Sequence, residues 1–334
     1  MADSDIDQRL VVLRRQYLQL FEPDFLAWPP LKLLKNADVQ TWLHKNFFDA
    51  SRLRVLRLLI AKIEKAVEGS EQDGVSHALR SHLGALMDNE VPSGLDSVQE
   101  KSYVTFTCPK EGPGESESTV TILERRYLIS GSKTTGFRTW EGALHLGAYL
   151  LSLPGQEIIR GKNVLELGAG TGFLAILCGK QLAAKHVTTT DGDEGVVEAL
   201  KENIALNNLD EQKVQARRLW WGDDLKGTWV ERECETEPYD IVVGADITYE
   251  PEAIRALVAT LRQLFDMRPG LLVIIAGVIR NAQTYETFRQ ECSASGFVLK
   301  EVGFQAKSIR EQSSLFYAAA MPVKILNITR ASVK

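Results

Sequence analysis

The segment Asn163–Phe173, which reads NVLELGAGTGF, constrains the fold more than any other part of the chain. An apolar run typical of a buried strand ends at Leu167 and passes into a turn with three glycines at alternate positions. Glycine tolerates positive φ and lets ligand atoms approach the backbone closely. A strand that enters a helix through such a turn is the first unit of an open α/β sheet, where nucleotide-like ligands bind at the carboxyl edge. We therefore predict a cofactor site at Gly168, Ala169 and Gly170.

The spacing of these glycines indicates which cofactor binds. A dinucleotide fingerprint has the pattern G-x-G-x-x-G, whereas this turn reads G-x-G-x-G and Phe173 occupies the place of the last glycine. Glu166 lies at the end of the strand, where a carboxylate would repel a pyrophosphate but suits a ligand with an ammonium and a sulfonium. Spacing and charge together predict S-adenosylmethionine as the cofactor. The alternative is a tight turn that binds no ligand.

Strand-like and helix-like segments alternate after Gly136, which predicts a parallel sheet with helices on both faces. The predicted fold class is α/β, with a Rossmann-like seven-strand sheet. The predicted strands are Asn163–Leu167, His186–Thr190, Val214–Arg217, Tyr239–Val243, Leu271–Val278, Phe297–Val302 and Leu315–Met321. The predicted helices are Phe173–Leu182, Glu194–Asn207, Glu252–Phe265 and Asn281–Ser293.

A different pattern precedes this region. Apolar residues recur at helical spacing through residues 1–90, and the period changes to two from Ser102 across a turn at 110–118, which predicts a β-hairpin. The 334 residues suit two domains better than one. We predict an N-terminal helical domain at 1–95 and a methyltransferase domain at 100–334. Basic residues on the third helix suggest substrate recognition, with an ordinary solvated face as the alternative: Arg52, Arg54, Arg57, Lys62 and Lys65.

Two further positions fit parts of the predicted cofactor. Asp191 ends the second strand about twenty residues past the glycine turn, where a carboxylate accepts hydrogen bonds from ribose hydroxyls. Trp220 and Trp221 follow the third strand directly. Since an indole offers a flat apolar face for adenine, Trp221 is the candidate platform, with a place in the core as the alternative.

The fourth strand ends in Ala245-Asp246-Ile-Thr-Tyr249, at the edge where a transferred methyl group would emerge. Methylation of an amine needs a neutral lone pair, and deprotonating a free lysine at pH 7 costs about 4.6 kcal/mol. Asp246 can hold the incoming ammonium, and Tyr249 can donate a hydrogen bond or an aromatic wall. The sequence lacks the Asn/Asp-Pro-Pro-Tyr pattern of enzymes that methylate planar nitrogens. A turn with an incidental acid is the alternative.

The bulk composition argues against several kinds of partner. A net charge of −5 gives no electrostatic basis for nucleic-acid binding. The longest apolar stretch, Leu271–Val278, is too short to span a membrane, and the acidic N-terminus lacks a secretion signal. The four cysteines and five histidines are scattered without disulfide or metal-ligand spacing. We therefore expect a cytoplasmic monomer without a metal.

The motifs resemble those of the family-16 protein-lysine group of seven-strand methyltransferases, in particular its branch that modifies elongation factor 2. The similarity covers nearly all of residues 100–330. It is carried by Thr134-Thr-Gly-Phe-Arg-Thr-Trp140-Glu141, the Glu166 turn, Ala245-Asp-Ile-Thr-Tyr-Glu-Pro-Glu-Ala-Ile254, Val278-Ile-Arg280-Asn281 and Thr284-Tyr285. The resemblance implies S-adenosylmethionine as cofactor, elongation factor 2 as the protein substrate and trimethyllysine as the product.

The resemblance also implies roles for individual residues. Trp140 would contact the cofactor, Gly168, Ala169 and Gly170 would line its methionine end, Asp191 would bind the ribose and Trp221 the adenine. Ala245 would contact the cofactor through its backbone, while Asp246 and Tyr249 would serve the substrate lysine. One departure stands out, because Trp220 occupies a position that is often acidic in this group.

Two other functions remain open on the sequence. A methyltransferase of the same fold can act on a small molecule or on RNA, although the acidic charge and the Asp246–Tyr249 pattern weigh against RNA. A non-catalytic scaffold that only binds the cofactor is the second alternative, and the intact Glu166, glycine turn and Asp246 weigh against it.

Overall fold

The computed structural model describes residues 6–47, 53–68, 74–88, 101–109, 117–125 and 135–331. The chain divides into two compact units, one within Met1–Ser97 and Val104–Thr107 and the other within Val98–Tyr103 and Cys108–Lys334. The domain boundary predicted between residues 95 and 100 falls outside the described residues, as do Arg52 and Thr134.

The first unit is helical, as the periodicity predicts. Its helices are α1 (Gln8–Leu18), α2 (Leu31–Leu34), α3 (Ala37–Phe47), α4 (Leu53–Val67) and α5 (His77–Asp88). The Asp7 side chain caps α1 by accepting a hydrogen bond from the Arg9 backbone N–H at 2.9 Å. Leu10 and Leu13 on α1 and Ile63 on α4 are buried in one apolar core, because the repeat of three to four residues places them on one face of each helix.

Helix α4 is the helix that was predicted from the sequence as the third one, with a basic side. Fewer of its basic residues carry an unpaired charge than the sequence predicts. Arg54 forms an ion pair with Asp24 at 2.7 Å, so its charge is neutralised. The Lys62 ammonium lies 5.2 Å from the centroid of the Trp28 ring. Two of the predicted basic side chains on this helix are exposed and form no ion pair or cation–π contact within the described residues: Arg57 and Lys65.

In the described part of the chain, nine strands form two sheets. Strands β1 (Lys101–Cys108) and β2 (Ser118–Arg125) pair in a two-stranded sheet, where the sequence predicts a hairpin. The large sheet contains β3 (Asn163–Leu167), β4 (His186–Asp191), β5 (Val214–Arg218), β6 (Ile241–Ala245), β7 (Leu272–Val278), β8 (Phe297–Glu301) and β9 (Val323–Arg330). Its order is β5-β4-β3-β6-β7-β9-β8, so the order reverses around β3, where ligands bind in open α/β sheets.

Helices cover both faces of the seven-stranded sheet, which confirms the predicted fold class. They are α6 (Glu141–Leu150), α7 (Leu153–Ile159), α8 (Phe173–Lys180), α9 (Glu194–Leu206), α10 (Trp229–Thr236), α11 (Pro251–Met267) and α12 (Ala282–Ala294). The four helices predicted from the sequence, α8, α9, α11 and α12, are present with ends that differ by no more than two residues. No helix in the described part of the chain is long and apolar enough to cross a membrane.

The last predicted strand is wrong. Leu315–Met321 forms no strand, and the seventh strand is β9, which pairs antiparallel with both β7 and β8, so the sheet is mixed rather than parallel. The Gln312 side chain accepts a hydrogen bond from the Tyr317 N–H at 2.9 Å and donates one to the Tyr317 carbonyl at 3.0 Å. Because the Gln312 side chain satisfies the Tyr317 backbone, the buried residues Leu315, Phe316 and Tyr317 pack without a neighbouring strand.

Candidate active site

A cavity of about 530 Å³ lies at the carboxyl ends of β3, β4 and β6, and we refer to it as the first cavity. All eight residues predicted to bind the cofactor line it: Trp140, Glu166, Gly168, Ala169, Gly170, Asp191, Trp221 and Ala245. The two predicted catalytic residues, Asp246 and Tyr249, also line it. Residues from five segments of the second unit thus meet in one place.

The glycine turn is built for close approach. Gly168 has a φ of +62°, and a Cβ there would lie 2.6 Å from Ile247 Cγ2 and 3.0 Å from Trp221 Cζ2. The Trp221 indole therefore packs directly against the turn, as well as against the core. Gly170, with a φ of +54°, faces Gly136, whose carbonyl oxygen would be 3.0 Å from an added Cβ. Any side chain at Gly168 would push Trp221 away from the cavity wall.

Asp191 connects the glycine turn to the end of β4. Its Oδ2 accepts a hydrogen bond from the Gly170 N–H at 3.1 Å, and its Oδ1 accepts one from the Asp193 N–H at 3.1 Å. Burial raises the pKa of the Asp191 carboxyl, while these backbone hydrogen bonds lower it. Each carboxylate oxygen has a second lone pair, so Asp191 can hold the turn and accept a hydroxyl at the same time.

Glu166 is almost completely buried, with 2% of its surface exposed. Its Oε2 accepts hydrogen bonds from the Thr189 hydroxyl at 2.7 Å and the Ala175 N–H at 3.2 Å. Burial raises the pKa of Glu166 to about 8, and the nearby charge of Asp191 adds to this effect. A cation placed beside this carboxyl would lower its pKa again, because it favours the charged form.

This raised pKa makes stability depend on pH. At pH values between the ordinary glutamate pKa of 4.5 and about 8, Glu166 is protonated in the folded state and ionised in the unfolded chain. The free energy of unfolding therefore falls as the pH rises through this window. In Glu166→Gln this loss is absent. We expect the variant to gain about 2–4 kcal/mol relative to the natural chain between pH 5 and pH 8, measured by urea unfolding.

Glu235→Gln is the matched control, because Glu235 is exposed on α10. It should keep the pH slope of the natural chain. Equal slopes for Glu166→Gln and the natural chain would contradict the prediction. Isothermal titration should also show weaker cofactor binding by Glu166→Gln, since the variant cannot become negative beside a cationic ligand.

The two adjacent tryptophans occupy different environments, and both line the first cavity. Trp221 packs against the core, whereas Trp220 is 54% exposed. The Trp220 ring lies against Gly192, where an added Cβ would be 3.2 Å from Cε3, and the Arg218 guanidinium lies 5.4 Å from its centroid. Trp220 entered the sequence analysis only as a departure from the resembled group, yet it forms part of the cavity wall beside Asp191.

The segment 135–140 also lines the first cavity, and Trp140 is its one residue with a role predicted from the sequence. The Trp140 Nε1–H donates to the Thr135 carbonyl at 3.0 Å. The Thr139 N–H donates to Glu124 Oε2 on β2 at 2.9 Å, and its hydroxyl lies 2.8 Å from that of Thr171 in the glycine turn. The segment is therefore anchored to β2 and to the turn. The sequence signal for a role of this segment was its place in the motif from Thr134 to Glu141, which resembles a motif of the family-16 group.

Asp246 follows β6 with a φ of +53°, a conformation that is uncommon outside glycine and is found at functional sites. Its Oδ2 accepts a hydrogen bond from the Gly142 N–H of α6 at 2.6 Å, and its Oδ1 accepts one from the Val278 N–H at 2.9 Å. Burial raises the pKa of Asp246, and the two backbone hydrogen bonds lower it. The carboxylate is thus held by two elements and keeps one lone pair free on each oxygen.

A second cavity of about 320 Å³ adjoins the first, and its walls include residues of β7, β9 and α12. Four residues line both cavities: Thr135, Trp140, Asp246 and Tyr249. Tyr249 is 61% exposed. Asp246 therefore stands where a ligand in the first cavity and a ligand in the second would meet.

The charges around the first cavity fit a cationic ligand. Among the described residues that line it there are six carboxyl groups and one guanidinium: Glu166, Asp191, Asp193, Asp246, Glu250, Glu252 and Arg138. Such a wall repels a pyrophosphate and suits a sulfonium with an ammonium. The aromatic face of Trp221 and the close approach at Gly168 fit a nucleoside in the same space. No group of three or more potential metal ligands occurs in the described part of the chain.

A seven-strand sheet of this order, with an acidic cavity at its first glycine turn, defines a methyltransferase of the seven-strand class. The model of the family described as "Lysine methyltransferase" matches residues 123–292. The chain belongs to this lysine methyltransferase family. Family and fold imply S-adenosylmethionine as the methyl donor.

Three relatives illustrate the similarity. Protein-lysine N-methyltransferase EFM3 of Chaetomium thermophilum is 41% identical over 326 residues, which cover 94% of this chain and 96% of the relative. Protein-lysine N-methyltransferase EFM3 of Saccharomyces cerevisiae is 36% identical over 63% of this chain and 66% of its own. Protein-lysine N-methyltransferase EEF2KMT of Homo sapiens is 28% identical over 93% of this chain and 96% of its own.

Proposed function

We propose that this chain transfers methyl groups from S-adenosylmethionine to a lysine of elongation factor 2 in the cytoplasm, to the trimethyl state. The observation that carries the proposal is the position of Asp246, which lines both the acidic first cavity and the second cavity. A carboxylate between the two cavities suits an acceptor amine that lies in the second cavity. From there the amine can approach the methyl group of the cofactor on the face opposite the sulfur.

The first cavity offers a partner to each part of the cofactor. Bound S-adenosylmethionine supplies an electrophilic methyl carbon on its sulfonium. Asp191 accepts hydrogen bonds from the ribose, Trp221 presents its ring to the adenine and Glu166 contributes negative charge near the methionine end. Gly168, Ala169 and Gly170 let the ligand approach the backbone. The carboxyl groups around the cavity favour the positively charged sulfonium over the neutral thioether sulfur of the product, so binding weakens once the methyl group has left.

Asp246 acts on the acceptor amine. The lysine enters as an ammonium and must lose one proton before its lone pair attacks the methyl carbon, which costs about 4.6 kcal/mol for a free lysine at pH 7. The free lone pairs of Asp246 attract the ammonium and orient the amine after the ammonium has lost its proton to solvent water. Because the carboxylate is held by Gly142 and Val278, this orientation needs no rearrangement. Tyr249 adds an aromatic wall and a hydroxyl.

The choice of elongation factor 2 rests on resemblance. The motif segments around Trp140, Asp246 and Arg280 resemble those of the enzymes that modify this factor. The match to EEF2KMT spans 93% of the chain and therefore includes the N-terminal unit. Trimethylation is implied by the same resemblance. The acceptor is thus a protein lysine, and the remaining question is which protein carries it.

Transfer of labelled methyl groups tests this proposal. The purified chain and labelled S-adenosylmethionine are added to an extract of cells that lack the enzyme, and labelled proteins are separated and digested. We expect one labelled protein, elongation factor 2, with the label on trimethyllysine. Labelling of a different protein would overturn the choice of substrate, and labelling of metabolites alone would overturn protein-lysine transfer.

We further propose that the N-terminal helical unit recognises the protein substrate through the exposed basic residues of α4. Reversing two charges in Arg57→Glu/Lys65→Glu should raise the KM for the protein substrate about three- to tenfold, as expected from the loss of two exposed ion pairs. The kcat should stay the same, because neither residue lies in the site. Steady-state kinetics with the intact acceptor protein measures both constants.

The control Lys32→Glu/Lys45→Glu makes the same change of charge elsewhere in the same unit, at two exposed positions on α2 and α3. It should leave the KM unchanged. Equal effects of the two double variants would show that general charge, not a surface on α4, determines the KM.

A further inference from the structure

The second cavity continues from the candidate active site toward the core of the sheet. Beyond the four residues shared with the first cavity, its floor consists of three buried apolar side chains, Ile275, Phe288 and Leu326. Thr284 and Tyr285, in the first turn of α12, complete one wall. An apolar floor suits a chain of methylene groups, because it removes their surface from water.

Of the described charged residues that line the second cavity, one carboxylate has no ion-pair partner. Three of its described lining residues are charged, namely Asp246, Arg280 and Lys324. Arg280 forms an ion pair with Glu141 at 2.9 Å, and Lys324 forms one with Glu301. Among these lining residues Asp246 is therefore the charged group without an ion pair. The cavity suits a ligand with a single positive charge at its Asp246 end.

Aromatic side chains add a second feature that suits such a ligand. Trp140, Tyr249 and Tyr285 all line the second cavity. Aromatic faces attract alkylammonium groups, including fully methylated ones that can no longer donate hydrogen bonds. A volume of about 320 Å³ lies in the range of pockets that hold small ligands, about 300–1,000 Å³. The cavity can thus hold a lysine side chain before and after methylation.

We infer that the second cavity binds the side chain of the acceptor lysine, with Thr284 and Tyr285 of α12 as part of its wall. The methylene stem lies on the apolar floor and the nitrogen lies beside Asp246. The inference rests on the proposed function and deepens it, since it assigns acceptor binding to residues outside the Asp246–Tyr249 motif. The wall is held in place because Asn281 caps α12, with Oδ1 accepting from the Gln283 and Thr284 N–H groups at 2.8 and 3.2 Å.

The test uses a substitution that reduces the space in the second cavity and leaves the residues that line the first cavity unchanged. Thr284→Leu enlarges a side chain that lines the second cavity only. Gln283→Leu is the matched control, because Gln283 is the exposed neighbour on the same helical turn. Kinetics with elongation factor 2 purified from cells lacking the enzyme should show that Thr284→Leu raises the KM for the acceptor protein about tenfold. Binding of S-adenosylhomocysteine, measured by calorimetry, should change in neither variant.

Tyr285 provides a second, independent pair of variants. Tyr285→Phe keeps the aromatic wall and should raise the KM less than Tyr285→Ala, which removes the ring. Thr284→Leu behaving like Gln283→Leu, together with equal KM values for the two Tyr285 variants, would overturn the assignment while leaving the methyltransferase function intact. A natural chain that labels no protein lysine would instead overturn the proposed function, and the acceptor site with it.

Discussion

Asp246→Asn should reduce kcat for lysine methylation about 10²–10³-fold, the range typical of removing one preorganised electrostatic contact from an active site. The substitution removes the negative charge that attracts the acceptor ammonium and keeps the size of the side chain. Asparagine also tolerates the positive φ observed at this position. The loss therefore reports the charge at the junction of the two cavities rather than a backbone that cannot form.

A smaller cost in stability should accompany this loss. Asp246 accepts hydrogen bonds from the N–H groups of Gly142 and Val278, and an amide presents a donor to one of them. An unsatisfied backbone donor of this kind costs about 1–3 kcal/mol. Thermal unfolding should therefore show a lowered Tm with a single cooperative transition.

Two measurements separate catalysis from folding. Binding of S-adenosylhomocysteine to Asp246→Asn should stay close to that of the natural chain, because the turn at Gly168 is unchanged. Asp223→Asn, an exposed acid in the loop after β5, makes the same chemical change and should leave kcat unaltered. A kcat for Asp246→Asn within a few-fold of the natural value would remove Asp246 from the reaction.

Gly168→Ala should abolish measurable cofactor binding while leaving the chain folded. The new Cβ would lie 2.6 Å from Ile247 Cγ2 and 3.0 Å from Trp221 Cζ2, so one of these side chains must move into the cavity or the turn must shift. Overpacking of this kind costs about 1–3 kcal/mol, in addition to the strain of a non-glycine residue at a φ of +62°. We expect at least about a hundredfold rise in the Kd for S-adenosylmethionine, equivalent to about 2.8 kcal/mol.

Gly161→Ala separates strain from contact. Gly161 has a φ of +70°, but nothing lies within 4 Å of the position of an added Cβ. Both variants should lose about 1–2 kcal/mol of stability from the left-handed backbone, and only Gly168→Ala should lose the cofactor. Weakened cofactor binding in both would trace the effect to general destabilisation, contrary to the expectation.

Local features of the sequence were enough to predict most of the large sheet. Strand β3 is buried along its whole length, and its three apolar residues, Val164, Leu165 and Leu167, predicted a buried strand. Helices α8, α9, α11 and α12 follow from their apolar periodicity, and the glycine turn follows from residue types that need positive φ. These signals lie within a few residues of one another, so no knowledge of distant contacts is required.

The same local reasoning failed at the C-terminal end of the sheet. The run at 315–321 has strand-like composition, but only Leu315, Phe316 and Tyr317 are buried, the Tyr317 backbone bonds to the Gln312 side chain, and β9 supplies the strand instead. Apolar composition reports burial and not the partner that satisfies the backbone. The sequence analysis therefore placed the last strand at 315–321 and missed β9, and with it Lys324 in the second cavity, although Val323, Ile325 and Ile328 are β-branched residues that favour a strand.

The residue types that line the first cavity could be predicted from the sequence, because acids and tryptophans at the ends of successive strands converge on one edge of the sheet. The arrangement of side chains around the acceptor could not be predicted from the sequence. The Gly142 N–H reaches Asp246 across 104 residues of sequence, and the second cavity exists because α12, β7 and β9 meet beside that carboxylate. Residue chemistry and periodicity act over a few positions along the chain, whereas a shared cavity depends on packing between elements that are distant in sequence.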